Sequence, residues 1–419
     1  MTGTVAPSLR LSLIVTVVAG VGFVVAAAIL VPWHWLPGGH VHAVPAARYF
    51  SRGEVARGEH VSGLLRHAAW GNLAVSVLVA AMLGFTRLGS ALVQRLPGRW
   101  WSKVSIGCLV VTLVGAVASL PLAWSSQRVE LSEGLSSESW GGWLADRAIE
   151  AGVTWAFTGI ALLVVVGAAR TAPRTWPAWV AAAAASLAVL GSFVYPVLVE
   201  PLTNNFTTMK AGPIRSEITR LAARERVHID DVLVADASRR TTTLNAYVSG
   251  FGRTRRVVVY DTLLTGLPAS QTEMIVAHEL GHAKHDDVLV GTFLGALGTA
   301  LAVGLLGILF TRRRLLDRVR VDGLGDPRAV PLLLALAVVG SLLASPVQNT
   351  VSRAIEARAD LTALRATQDS QTFIAMQKQL ALRSLSDPTP PAWSQFWFGS
   401  HPTTLQRIGM AEQFASRSR

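Results

Sequence analysis

The chain has 419 residues, of which 51% are hydrophobic and only 15% charged, and its mean hydropathy is +0.42. These values are far from those of soluble globular proteins and predict a membrane protein. The formal net charge of +12 favours contact with anionic lipid headgroups, and no aromatic-basic module indicates nucleic acid as a partner. The single cysteine, Cys108, excludes a disulfide framework and a cysteine-based metal site within one chain.

Five apolar segments long enough to cross a bilayer come first in the chain. They lie near residues 11–31, 68–85, 104–124, 151–169 and 176–199. Tryptophans cluster at the ends of these segments, as in an interfacial aromatic belt. The first segment is longer than the apolar part of a cleaved signal peptide and has only Arg10 before it, which favours an uncleaved span. Residues 1–199 are therefore predicted to form a membrane region of five spans.

A hydrophilic segment, residues 200–287, follows the fifth span. Its residues 213–226 have helical spacing, and three short segments after them are rich in strand-forming residues: 232–235, 245–249 and 256–260. Gly250 and Gly252 indicate a hairpin turn between the last two. The segment is predicted to form the first part of a hydrophilic domain with a small β-sheet.

The sequence His278-Glu279-Leu280-Gly281-His282 matches the HExxH pattern of zinc proteases. In a helix, the two histidines project from one face and can share a metal, while Glu279 lies where it can take a proton from water. Residues 270–273 are predicted to form a capping box that begins this helix. Because HExxH also occurs by chance, the assignment depends on a third ligand.

A catalytic zinc usually has three protein ligands and one open position. His285 is about 10.5 Å along the helix from His278, too far for both to grip one ion, and is interpreted as an interfacial or supporting residue. Glu356 and Asp360 are better candidates because, at i and i+4, they project from one helical face. We expect Glu356 to bind the metal and Asp360 to accept a ring N–H of a ligating histidine.

Two more spans, predicted at residues 288–310 and 330–344, separate the histidines from Glu356. Two crossings return the chain to the side that it left, so the three ligands can meet. Residues 288–347 are thus a second membrane region, and 348–419 complete the hydrophilic domain. His282 is only about 9 Å from the start of the sixth span by helical rise, which predicts a metal site near the membrane interface.

These motifs, in this order, resemble those of the M48 peptidases, specifically the Ste24-like CAAX prenyl protease branch. The matching residues are 245–250, 257–264, 278–282, 356 with 360, 400–402 and 407–408. The resemblance covers roughly residues 196 to 410. It implies a mainly α, multi-pass membrane protein with about seven transmembrane helices around a water-filled chamber. It also implies a zincin-type α+β catalytic domain that carries a small β-sheet.

The resemblance implies one Zn²⁺ per chain, bound by His278, His282 and Glu356, with Glu279 as the general base. Asp360 would then orient a histidine ligand. His401 would stabilise the oxyanion and Arg407 would support a site carboxylate, although both could instead belong to an ordinary helix start with a surface pair. A substrate in extended conformation would pair with a strand by β-augmentation, unless that strand is a plain sheet edge. The residues of this strand are Asn245, Ala246, Tyr247 and Val248.

The predicted function is that of a membrane-embedded zinc metalloendopeptidase acting on membrane-associated or membrane-proximal peptides and proteins. One alternative is a catalytically silent zinc-binding scaffold, which the intact Glu279 disfavours. A transporter is the other, disfavoured because the spans contain almost no ionisable residues. The composition is typical of a high-GC bacterium and predicts a bacterial cell membrane. Prenylated proteins are a eukaryotic substrate class, so the resemblance does not identify the substrate.

The sequence gives conflicting indications of the side on which the catalytic domain lies. Loops on the N-terminal side carry most of the short-loop basic residues, including Arg87, Arg95, Arg99, Lys103, Arg170, Arg174, Arg312, Arg313 and Arg314. The positive-inside rule therefore predicts a cytoplasmic N-terminus and an extracytoplasmic catalytic domain. The family resemblance implies the reverse.

Overall fold

The computed structural model describes residues 6–34, 41–250 and 252–417, and most of these residues are helical. The first part of the chain forms a row of helices joined by short connections. They are α1 (Leu9–Leu30), α2 (Arg52–Gly84), α3 (Arg87–Arg95), α4 (Trp100–Ser132), α5 (Trp140–Thr171), α6 (Trp176–Val194) and α7 (Glu200–Thr203). A π-helical turn, Tyr195–Val199, joins α6 to α7.

The sheet and the helix that carries the HExxH sequence come next. The elements are β1 (Phe206–Thr208), α8 (Pro213–Arg224), β2 (Asp231–Ala235), β3 (Ala246–Ser249), β4 (Arg256–Tyr260), α9 (Asp261–Gly266) and α10 (Ala269–Lys284). The strand order is β1-β2-β4-β3, with β2 and β4 parallel and the other pairs antiparallel. Strand β1 was not predicted. Gly250, at φ +87°, begins the predicted β3–β4 turn, of which Phe251 lies outside the described residues.

The last elements are α11 (Asp287–Leu309), α12 (Arg313–Val319), α13 (Val330–Thr367), α14 (Ser370–Arg383), α15 (Ala392–Phe398) and α16 (Thr404–Arg417). Helix α13 has 38 residues and contains both the predicted seventh span and the Glu356/Asp360 pair. The predicted boundary between residues 347 and 348 therefore falls inside one continuous helix.

Within the described residues, six helices are long and apolar enough to cross a membrane: α1, α2, α4, α5, α11 and α13, the last together with the turn before it. Several of them are longer than their predicted spans, because polar turns extend the helices beyond the apolar segments. The fifth predicted span corresponds to α6, which is a shorter apolar helix. The count of seven spans therefore remains a prediction.

The two ends of the helical bundle differ. At one end, Ser136 Oγ donates to the Arg240 carbonyl and Ser62 Oγ to the Leu385 carbonyl, which ties the bundle to the domain containing the sheet. The other end, here called the basic end, consists of α3, α12 and the adjoining helix ends. It carries thirteen basic residues and three acidic ones, Asp317, Asp322 and Asp326.

Small residues set the closest helix approaches. A Cβ on Gly304 of α11 would lie 2.7 Å from the backbone nitrogen of Thr16 in α1, so only glycine allows this contact. Gly281, inside the HExxH sequence, faces α13, where an added Cβ would come within 3.2 Å of Ala359 Cα and Thr362 Cβ. Gly281 therefore lets α10 and α13 pack closely enough for their polar side chains to meet.

The core of the hydrophilic domain combines distant parts of the chain. Buried residues from α8, the sheet, α10, α14, α16 and the last turns of α13 form one hydrophobic cluster. Val44 and Phe50 belong to this cluster although they fall in the predicted membrane region 1–199. The predicted capping box at residues 270–273 is wrong, because α10 begins at Ala269 after Pro268 and has no side-chain cap.

Candidate metal centre and active site

His278, His282 and Glu356 meet where α10 crosses α13, and their candidate ligand atoms all lie within 4.8 Å of one another. The Nε2 atoms of the two histidines are 3.2 Å apart. Glu356 Oε2 is 3.2 Å from His278 Nε2, and Glu356 Oε1 is 3.7 Å from His282 Nε2. The structure thus brings together the three residues that the sequence predicts as metal ligands.

A carboxylate lies next to the Nδ1 atom of each imidazole, on the side of the ring away from the Nε2 pair. His278 Nδ1 is 2.9 Å from Asp360 Oδ1, although this contact lacks the alignment of a good hydrogen bond, and His282 Nδ1 is 2.9 Å from Asp287 Oδ2. When each Nδ1 carries its proton toward a carboxylate, both Nε2 atoms present lone pairs. Two lone pairs 3.2 Å apart repel each other unless a cation or a proton lies between them. The arrangement therefore fits a shared metal ion.

Glu356 provides a second indication of a cation. Its Oε2 atom is buried and makes no well-aligned hydrogen bond to any described residue. A buried carboxylate oxygen without a donor is costly, and a metal ion would satisfy it. Two imidazoles and one carboxylate are also the donor set of several catalytic zinc sites. The residues present therefore fit zinc.

The carboxylates around the histidines favour positive charge. Burial alone would lower the pKa of His282, but its contacts with Asp287 and Glu356 outweigh burial and raise the pKa to about 10. In the same way, burial of His278 is outweighed by Asp360 and Glu356, and its pKa is raised. The site thus stabilises a positive charge, which a bound metal ion would provide.

Glu279 lies beside the ligand group without belonging to it. With His282, Val248 and Gly250 it lines a cavity of about 180 Å³ between α10 and the sheet. Burial raises the pKa of the Glu279 carboxyl. A carboxylate whose pKa is raised toward neutrality is suited to take and return a proton.

Arg407 and Asp360 form a buried pair behind the site. Arg407 Nε donates to Asp360 Oδ2 at 2.7 Å, and a second guanidinium nitrogen contacts Oδ1. Gln377, with its amide oxygen turned toward Arg407, accepts from Nε at 3.1 Å. Burial would lower the pKa of Arg407, but Asp360 outweighs it and raises the pKa. Arg407 therefore fixes the carboxylate that contacts His278.

His401 reaches the site from the segment between α15 and α16. Its Nε2 is 3.2 Å from Glu356 Oε2, and its Nδ1 is 2.9 Å from Ser400 Oγ. Half of the His401 side chain is exposed, in contrast to the buried His278. His401 can thus contact a molecule entering from solvent.

The sequence reasoning missed three supporting residues, Asp287, Arg358 and Gln377. Asp287 is buried, contacts His282 Nδ1 and pairs with Arg358. The signal that could have identified Asp287 is a carboxylate at the start of an apolar helix, five residues after a candidate ligand. Arg358 has no such signal, because its position between Glu356 and Asp360 resembles any charged helix face.

His285 is not part of the ligand group. Its Nε2 lies 3.3 Å from Thr362 Oγ1, where it supports the contact between α10 and α13. Burial, followed by the nearby Arg358, lowers its pKa.

The predicted substrate strand is β3 and lies at the edge of the sheet, next to α10. Asn245 directly precedes it, and its carbonyl accepts from the Tyr260 amide at 3.0 Å. Ala246 packs into the large hydrophobic cluster of the hydrophilic domain, whereas Tyr247 contacts the smaller cluster on the other face of the sheet. Val248 lines the cavity that also contains Glu279. Substrate binding by this strand stays a prediction.

A larger cavity of about 800 Å³ lies inside the helical bundle. It is lined by α2, α4, α5 and α13 and by Phe398 of α15. Several of its lining residues are polar: Asn72, Ser76, Thr112, Ser119, Arg147, Glu150, Thr154, Thr158, Ser341 and Ser345.

Comparisons with known proteins agree with this arrangement. Residues 208–415 match peptidase family M48, and residues 67–205 match the family described as CAAX prenyl protease N-terminal, five membrane helices. Over 313 residues, the chain is 31% identical to the uncharacterized metalloprotease YhfN of Bacillus subtilis, covering 73% of this chain and 72% of that one. It is 25% identical over 237 residues to CAAX prenyl protease 1 of Saccharomyces cerevisiae, covering 52% of each chain.

The crystal structure of Ste24p from S. mikatae superposes on this chain with a TM-score of 0.79. The match covers 96% of this chain and 99% of that one at 18% identity, and it shows that the two share a fold. The predicted family, the predicted mainly helical membrane fold and the predicted enzyme class are confirmed. The chain belongs to peptidase family M48 and is an integral membrane metalloprotease with a Ste24-like fold.

Proposed function

We propose that the chain is a zinc endopeptidase that hydrolyses peptide bonds of membrane-associated or membrane-proximal proteins. The observation that carries the proposal is the pair of histidine Nε2 atoms 3.2 Å apart, with Glu356 beside them and Asp360 and Asp287 behind them. His278, His282 and Glu356 would hold one zinc ion per chain. Zinc bound there would supply Lewis acidity that makes water a nucleophile near neutral pH and polarises the scissile carbonyl.

The protein side chains around the ion would move protons and hold charge. Glu279, raised in pKa and next to the ligands, would take a proton from the attacking water and give it to the leaving amine nitrogen. His401, half exposed and 3.2 Å from Glu356, would donate a hydrogen bond to the oxyanion of the tetrahedral intermediate. Asp360, held by Arg407, would keep His278 in the tautomer that leaves Nε2 free.

The position of β3 supports a substrate bound as an added strand. In the described sheet β3 pairs only with β4, so its outer edge offers backbone donors and acceptors. One cavity is lined by Val248 and Gly250 at this end of the sheet and by Glu279, the proposed general base, which supports the proposal. An extended peptide paired with Asn245, Ala246, Tyr247 and Val248 would therefore pass the metal site.

Two features favour membrane-associated substrates over soluble ones. Asp287, which contacts His282, is also the first residue of the apolar helix α11, so the metal site lies at the end of a membrane-crossing helix. The 800 Å³ cavity provides space within the helical bundle. Several relatives are named for prenylated substrates. For this chain we propose only the broader substrate class, membrane-associated or membrane-proximal proteins.

The Bacillus relative and the alanine-rich, arginine-rich composition support a location in a bacterial cell membrane.

The test is Glu279→Gln in the purified, full-length protein. Turnover of an unstructured protein substrate should fall by about a hundredfold or more, because the amide cannot accept the proton of water. Zinc content, measured by elemental analysis, should stay near one per chain. Glu273→Gln is the matched control, since Glu273 is on the same helix but outside the ligand group, and should keep its activity. Retained turnover or loss of zinc in Glu279→Gln would contradict the assignment.

A further inference from the structure

A cavity of about 350 Å³ lies at the basic end of the bundle, away from the metal site. It is bounded by the end of α5, the start of α6, the end of α11, the start of α12 and the 322–325 segment. Two hydrogen bonds join the segments around it: the Ser8 amide donates to the Arg174 carbonyl at 3.0 Å, and the Arg170 guanidinium donates to the Gly325 carbonyl at 2.9 Å. No step of the proteolytic mechanism uses this cavity.

The lining of the cavity is amphipathic. Trp176, Phe310, Leu316 and Leu324 are nearly fully buried and provide an apolar floor. Cationic and polar groups at the rim include Arg170, Arg313 and Asp322. An apolar floor beneath charged groups suits a molecule with an anionic head and a hydrocarbon part better than it suits a small soluble anion.

Arg313 is the best-placed cation for a ligand. It is exposed, lines the cavity and pairs with no carboxylate among the described residues. Arg170 is held by its hydrogen bond to Gly325, and its guanidinium lies over the Trp100 ring at 5.3 Å. Both guanidiniums can donate to phosphate oxygens, which arginine contacts through two nitrogens at once.

The negative charge of Asp322 does not cancel this preference. Arg328 pairs with Asp322 at 2.6 Å and with Asp326 at 2.6 Å, so both carboxylates are partly neutralised. The whole basic end has thirteen basic residues against three acidic ones, so a positive potential surrounds the cavity. A basic pocket at the ends of apolar helices is placed where lipid headgroups lie.

We propose that this cavity is a binding site for the phosphate headgroup of an anionic phospholipid, with Arg313 and Arg170 as its ligands. The phosphate would lie at the rim, and the glycerol and first acyl carbons would cover Trp176 and Phe310. Bound lipid would thereby tie the ends of α5, α6 and α11 to α12.

The experiment uses the full-length protein in a neutral detergent, with short-chain phosphatidylglycerol as the probe and phosphatidylcholine of equal chain length for comparison. Binding is measured by native mass spectrometry. Phosphatidylglycerol should bind more tightly than phosphatidylcholine. Arg313→Ala should weaken phosphatidylglycerol binding about fivefold, because one basic residue near anionic lipid contributes about this much. Arg170→Lys, which keeps the charge and loses the planar group, should also weaken it.

Arg314→Ala is the matched control, because Arg314 is exposed on the same helix but does not line the cavity. It should leave binding near that of the wild type. Equal losses in Arg313→Ala and Arg314→Ala would overturn the proposal in favour of diffuse charge attraction. Displacement of phosphatidylglycerol by millimolar inorganic phosphate would also overturn it, since the site would then bind a free anion. Because Arg313 pairs with no described carboxylate, its replacement should not unfold the protein.

Discussion

Replacing Asp287 with asparagine should weaken zinc binding although Asp287 is not a ligand. The Asp287 carboxylate accepts from His282 Nδ1 at 2.9 Å and pairs with Arg358 through its other oxygen. Asparagine has nearly the same shape but no charge, and one of its two terminal groups is a donor. An amide donor facing Nδ1 would move the imidazole proton to Nε2, where it blocks the metal.

The expected losses of zinc affinity and of stability follow from the two contacts that Asp287→Asn removes, one with His282 and one with Arg358. Removing a carboxylate behind a metal-bound histidine typically costs about 10- to 100-fold in affinity, which corresponds to about 1.4–2.8 kcal/mol. Arg358 would keep its charge without its partner, which adds a destabilisation of the fold of about 1–3 kcal/mol. We therefore expect Asp287→Asn to remain folded in detergent, to melt at a lower temperature and to lose zinc first.

The assay is competition for zinc with a chromogenic chelator, performed on the purified protein. Asp286→Asn is the matched control. Asp286 is the neighbouring residue, its side chain is about half exposed, and it pairs with Arg255 outside the ligand group. Its φ of +53° is a conformation that asparagine adopts easily. Asp286 belongs to no ligand contact, so Asp286→Asn should keep the wild-type zinc affinity, and because Asp286 is half exposed the loss of its pair with Arg255 should cost only about 1 kcal/mol of stability.

Two results would refute the reasoning about Asp287. An unchanged zinc affinity in folded Asp287→Asn would mean that the carboxylate does not orient His282. An equal loss of affinity in Asp286→Asn would mean that local negative charge, rather than the contact with Nδ1, is responsible.

The remaining predictions concern the third ligand, acid stability and sidedness. Glu356→Ala should strongly reduce zinc content and His285→Ala should not, because only the first side chain belongs to the ligand group; elemental analysis that shows the reverse would contradict this. Burial would raise the pKa of Asp231, but bonds from Thr208 and Arg215 outweigh it and lower the pKa below 3.8. Asp231→Asn should therefore lower the melting temperature at pH 7, and the difference should shrink only as the pH falls through and below about 4; the exposed neighbour Asp230→Asn should show a much smaller difference. In a chain whose native cysteine is replaced by alanine, Ser416→Cys reports sidedness in intact cells. Labelling by an impermeant maleimide supports an extracytoplasmic catalytic domain, as the charge distribution predicts, and labelling only after lysis supports the cytosolic orientation implied by the family.

The periodicity and composition of the sequence were sufficient to predict the long helices and the side chains that form the candidate metal site. The apolar segments predicted the long helices because the hydrocarbon thickness sets the length of apolar sequence that a span needs. The spacing of His278 and His282, and that of Glu356 and Asp360, predicted which side chains share a helical face, since 3.6 residues make one turn. The even number of predicted spans between the two motifs allowed them to meet, and the structure brings them within 4.8 Å.

Tertiary structure decided the features that depend on contacts between distant segments. Short β1 forms only because β2 provides a partner, and Val44 and Phe50 join the catalytic core although they are remote in sequence. Asp287 and Gln377 support the site because α11 and α14 carry them to it, and Arg358 pairs with Asp287 from α13. The close packing of Gly281 against Ala359 fixes the distance between the two motif helices. Hydropathy and helical spacing describe one element at a time, whereas these contacts depend on how the helices pack against each other.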